Sequence, residues 1–259
     1  MVKNDPAILS HRVRQAWTRG LLRVLTTIVL LAGPSACASP TPPPLPPAEI
    51  MSRAAARMKA LQGFSFVVVR SGAPAYIDPN QTFSLSRLEG NYVSPDKAQG
   101  QVRVIGPGIV ASIHFISIAD QYWETNYLTG EWWACPPNQC FNPALLFDPQ
   151  TGLQPILQSD VLDLKLLKNE ELEELPGKLL YSLSGQVKGE HLAQVSYGLI
   201  GPDPLNVHLW VDPATFVVQR IQLEKPGANS AEATLWTVDF LNFDKVSPVL
   251  PPAIPTPTP

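Results

Sequence analysis

Residues 101–118 read QVRVIGPGIVASIHFISI, and the fold turns on how they are taken. β-Branched and apolar residues flank Gly106-Pro107-Gly108, so the stretch predicts two antiparallel strands, 101–105 and 109–118, joined by a hairpin. In the second strand Ile113 and Phe115 share one face, while Ile116 and Ile118 share the other. The segment 64–70 (FSFVVVR) behaves alike, with Phe64, Phe66 and Val68 alternating with Val67 and Val69. Both faces are apolar. Further strands are expected at 82–88, 122–128, 178–187, 205–211, 216–224 and 233–240. Thr129-Gly130 and Asp212-Pro213-Ala214-Thr215 supply turns.

Helical spacing appears in fewer places. Over 48–62, Ile50, Met51, Ala54, Met58 and Leu61 fall on one face, and Gly63 reads as a stop. The run 142–158 (NPALLFDPQTGLQPILQ) predicts two short helices with apolar sides Leu145/Leu146 and Leu153/Ile156/Leu157. A short helix is also expected at 190–197. Segment 163–175 (DLKLLKNEELEEL) has helix propensity. Its place between strand-like runs, before a Pro176-Gly177 turn, argues instead for a strand.

So much apolar strand surface admits two readings. It fills the core of a closed barrel or sandwich, or it lines a curved sheet whose concave face, with helices across it, encloses a hydrophobic cavity. In the second reading Phe66, Val68, Ile113 and Phe115 are the candidate lining residues from the strands. Leu146, Leu153 and Leu157 are the candidates from the helices.

The first 36 residues read as an export signal. Lys3, Arg12, Arg14, Arg19 and Arg23 oppose a single acid, Asp5, before an apolar run and the small residues Gly33-Pro34-Ser35-Ala36. That run is too short to span a bilayer, which takes roughly 20 apolar residues. Cys37 follows directly, as in a bacterial lipobox, although Pro34 stands where such sites usually carry Leu. Ordinary cleavage after Ala38 is the competing reading. Residues 37–47 then form a lipidated cysteine and proline-rich tether, extended and without a fold of its own. Residues 48–245 form the globular domain, and 246–259 a proline-rich disordered tail.

Charge and chemistry narrow the function. Five of the 19 basic and one of the 22 acidic residues lie in the signal, leaving 14 against 21, a net −7. Such a surface does not suit nucleic acid. Of the three cysteines, Cys135 and Cys140 remain once Cys37 is set aside. A disulfide is the simplest pairing outside the cytoplasm. Zinc would need further ligands, and the spacing is not the CxxC of redox proteins. No GxSxG, HExxH, P-loop or dinucleotide fingerprint occurs. His114, His191 and His208 are isolated from acidic partners in sequence, and no metal or cofactor is expected.

The order of several weak motifs carries a resemblance. The helix at 51–61 is followed by the strand–turn–strand 115–133, then DPQTGLQPIL (148–157), ELPGKLLYSLSG (174–185), and a hairpin at 204–223. In this order the chain resembles the LppX/LprG (LppX_LprAFG) lipoproteins, relatives of the LolA/LolB half-barrel, over about 48–243. The resemblance implies an α+β fold: a curved antiparallel half-barrel with helices over its concave face. It also implies a membrane-anchored, extracytoplasmic, non-enzymatic protein. Such a protein binds acylated lipid or glycolipid in its cavity and carries it across the envelope, with an envelope transporter as a candidate partner. The resemblance supports a strand at 163–175; the Cys135/Cys140 loop and the tail depart from the family. A non-enzymatic sensor or interaction module on the same fold is the alternative function, and an enzyme a weaker third.

Overall fold

A computed structural model describes residues 45–136, 140–229 and 232–253. The expected signal, Cys37, most of the tether and the end of the tail lie outside these residues. Eleven strands form one antiparallel sheet in the order β6-β5-β4-β3-β2-β1-β11-β10-β9-β8-β7. They are β1 Gly63–Gly72, β2 Ser84–Val93, β3 Lys97–Gly106, β4 Ile109–Ile118, β5 Gln121–Thr125, β6 Trp132–Ala134, β7 Val161–Leu166, β8 Tyr181–Val187, β9 Leu205–Val211, β10 Val218–Lys225 and β11 Thr234–Leu241. Spatial neighbours are sequence neighbours except where β1 meets β11. The chain therefore builds outward to the β6 edge, crosses to the β7 edge, and builds back. The crossing carries a 3-10 turn, Pro143–Phe147, and helix α2, Leu153–Asp160, over one face. Helices α1, Pro47–Lys59, and α3, Gly189–Val195, complete that cover. This is the α+β half-barrel that the resemblance implies.

Register decides which strand face looks inward. Ile113 pairs with Val102, Val102 with Leu88, Leu88 with Val68, and Val68 with Val238. The row continues through Ile221, Leu209 and Leu183 to Leu166. Nine strands thus contribute one apolar residue each to a single line across the sheet. Neighbouring inward positions, Phe64, Phe66, Tyr92, Phe115 and Phe240, are also buried. The hairpin turns fall where glycine marks them: Gly108 and Gly130 have φ of 71° and 74°, which L side chains rarely adopt.

The helices follow local rules. α1 has Pro47 at its start, Glu49 in its first turn and Arg57 and Lys59 in its last, each favourable to the helix dipole. Its buried stripe is Ile50, Met51, Ala54 and Met58. It ends earlier than expected, and Gly63 is no stop but the first residue of β1. A Cβ there would lie 2.5 Å from the Tyr92 carbonyl oxygen. Asn142 caps the 3-10 turn by accepting the Ala144 N–H at 3.0 Å. With a period of three, Ala144 and Phe147 face inward and Leu145 is left exposed, unlike the Leu145/Leu146 side expected.

The segment expected as a strand at 163–175 is one only in part. β7 ends at Leu166, and Glu170 then makes an isolated bridge to Leu180. The rest folds back over the outer face of the sheet as a strap. Leu172, Leu175 and Leu180 pack there on Trp210, forming a second, smaller apolar cluster. Arg220 pairs with Glu174 at 2.8 Å and Lys178 with Asp212 at 2.5 Å, fastening the strap. The apolar periodicity of this segment serves the outer face, which local propensity does not reveal. The strand expected at 122–128 likewise stops at Thr125, because the Asn126 side chain accepts the Leu128 and Thr129 N–H groups and closes the turn.

Candidate functional site

Between the sheet and its helical cover lies an apolar cavity of about 40 Å³. Its floor is Val68, Leu85, Leu88, Leu223, Trp236 and Val238. Its roof is built from Phe141, Leu146, Phe147 and Leu153 on the crossing, with Leu192 and Val195 of α3. One water needs about 10–15 Å³, and drug-sized ligand pockets run to about 300–1,000 Å³. In this conformation the roof side chains nearly fill the space.

The sequence candidates are distributed as follows. Val68, Leu146 and Leu153 stand on the cavity wall. Phe66 is buried two residues before Val68 on β1, its ring centroid 4.4 Å from that of Phe147. Phe115 is buried against Tyr122, with centroids 6.4 Å apart. Leu157 is buried in the core side of α2 without reaching the cavity. Ile113 lines a separate, adjoining cavity of about 220 Å³ with Val102, Tyr122, Glu124 and Phe141. Cys135 and Cys140 are joined by a disulfide with Cα atoms 6.3 Å apart, beside that second cavity.

Several wall residues escaped sequence reading. Trp236 and Val238 sit on β11, whose pairing with β1 comes from sequence positions far apart. Leu192 and Val195, three apart in α3, were legible as a helix face. Phe141 belongs to both cavities and stands between them. Helices α2 and α3 are tied by His191 Nδ1 and Asp160 Oδ2 at 2.5 Å.

The outer face brings together residues that sequence distance keeps apart. Ser182 Oγ lies 2.6 Å from His208 Nε2, and Glu170 Oε2 lies 4.0 Å from the same nitrogen. A hydrolytic triad needs its acid on the other ring nitrogen and an accessible hydroxyl. Ser182 is fully buried, and Glu170 accepts the Trp210 indole N–H at 2.9 Å. Burial pushes the His208 imidazole below its ordinary pKa, with Glu170 opposing. This cluster fastens the strap. Among the described residues no group of acids, histidines and cysteines is arranged to hold a metal. No helix there is long and apolar enough to cross a membrane.

An open half-barrel with an apolar row across its concave face, roofed by helices, is the architecture that the sheet order and register define. Two solved structures share the fold. LprF from Mycobacterium bovis is 15% identical, with a TM-score of 0.62, over 80% of this chain and 97% of that one. LppX from Mycobacterium tuberculosis is 12% identical, with a TM-score of 0.54, over 78% and 97%. No curated protein matches the sequence. The LppX_LprAFG lipoprotein profile matches residues 46–247, and the chain belongs to that family.

Proposed function

We propose that this protein is a membrane-tethered lipid carrier of the envelope that holds acyl chains between its sheet and its helical roof. The observation that carries this reading is the apolar row from Ile113 to Leu166, spanning nine strands under a roof of short helices. A compact core does not require so long a one-sided lining. Each acyl methylene buried is worth about 0.8 kcal/mol, so roughly 30 methylenes from two chains gain about 24 kcal/mol. The bilayer already provides nearly the same, which makes exchange close to neutral and reversible. Uptake requires the roof to part, and α2 and α3 are short enough to move as a lid. Acylated Cys37 keeps the carrier at the membrane, and an envelope transporter is the candidate partner that receives or supplies the cargo.

A second reading has one observation in its favour. A cavity of about 40 Å³ suits a sensor or interaction module on the same fold. Native mass spectrometry of the full chain in mild detergent separates them. Retained species that release acylated lipid on extraction support the carrier. A single lipid-free mass after exposure to envelope lipids supports the module.

A further inference from the structure

We propose that the second cavity, beyond Phe141, is a head-group subsite that selects acylated lipids with neutral, hydroxyl-rich head groups over lipids with anionic ones. The inference rests on the carrier reading. Its first ground is continuity: Phe141 is a wall of both the apolar cavity and this one, so the two adjoin at its ring. The second is room. About 220 Å³ exceeds the needs of one water more than tenfold.

The third ground is polarity. One side of the cavity is apolar, with Ile77, Val102 and Ile113. The other side presents Glu124, whose Oε2 accepts the Tyr122 hydroxyl at 3.2 Å. Its Oε1 faces the Cys140 sulfur at 3.7 Å, and a disulfide sulfur donates nothing. Among the described residues no donor reaches that oxygen and no cation pairs with the carboxyl. Burial raises the Glu124 pKa despite the tyrosine bond. A part-buried carboxyl with an open acceptor position is costly unless something donates to it.

Asp78 adds negative charge to the same wall while its oxygens are committed to the Thr82 and Phe83 N–H groups at 2.7–3.1 Å. Among the described residues no Lys or Arg lines the cavity. A phosphate head group would meet like charge with no counter-ion, whereas a sugar hydroxyl donates to Oε1 directly. Selection by unfavourable charge as well as by favourable contact is the usual route to specificity.

The test loads the full chain in mild detergent with an equimolar mixture of a monoglycosyl diacylglycerol and a phosphatidylglycerol of identical acyl chains. Native mass spectrometry then reads which is retained. The expected wild-type preference for the glycosyl lipid is about tenfold, equivalent to about 1.4 kcal/mol. Glu124→Gln, at unchanged melting temperature, should cut that preference to within about twofold by admitting the anionic lipid. Equal retention of both lipids by the wild type overturns the subsite and leaves the carrier reading standing. So does a preference that Glu124→Gln leaves intact. Retention of neither lipid sinks the carrier reading itself.

Discussion

The Phe147 ring on the crossing segment lies 4.4 Å, centroid to centroid, from the Phe66 ring on β1. Phe64, Tyr92 and Phe240 surround the same side chain at 5.3, 5.8 and 6.1 Å. One residue of the roof is thus clamped to three strands of the floor. In the carrier reading proposed above it is the end of the roof that stays fixed. Phe147→Ala should cost about 3–5 kcal/mol and lower the melting temperature accordingly. A loss below 1 kcal/mol would mean that the roof is not anchored there.

The strap is held by a buried charge. Asp212 accepts the Ala214 and Thr215 N–H groups at 2.7 and 3.1 Å and pairs with Lys178. Burial alone would raise its pKa; the Lys178 ammonium and the two N–H groups outweigh burial and lower it. The stability it confers is therefore complete above the ordinary carboxylate range, near 3.9, and fades as pH falls through the lowered folded value. Asp212→Asn should destabilise the protein at pH 7. Its deficit against wild type should shrink below about pH 4. A deficit independent of pH would place the effect in packing.

Much of the fold was legible, because its punctuation is local. Gly106-Pro107-Gly108, Thr129-Gly130 and the Asp212 turn announce their hairpins, and the α1 stripe repeats at helical spacing. The concave face was not legible, since Phe66 and Val68 alternate with Val67 and Val69, which are also apolar. Only the register against Val238 and Leu88 decides it. The strap was misread for a related reason: Leu172 and Leu175 find their partner in Trp210, roughly 35 residues on, and neither helix nor strand periodicity encodes that contact. Glu124 carries no sequence signal at all. Its interest arises from burial beside Phe141.

The disulfide closes a short loop next to the second cavity. In the chain-entropy model so small a ring is worth about 2 kcal/mol. Cys135→Ser with Cys140→Ser should lower stability by about that amount. Thiol titration of the exported protein before reduction should find neither cysteine free. Two reactive thiols there would contradict the pairing.

Cys37 is the expected anchor. Growth on a palmitate analogue should label the wild-type protein and leave Cys37→Ser unlabelled. Equal labelling of the two, or a mature chain beginning at Ser39, rules out acylation at that position.

The central claim is that acyl chains enter between sheet and roof, and photo-crosslinking with a diacyl lipid carrying a diazirine midway along one chain tests it most directly. After irradiation of the loaded full chain, adducts should map to peptides spanning 141–157 and 189–200, and to β11. Leu153→Trp, which narrows the cavity, should remove most of them. Adducts confined to the outer-face groove around Ser184, His208 and Gln222 would contradict the account, as would the absence of any adduct.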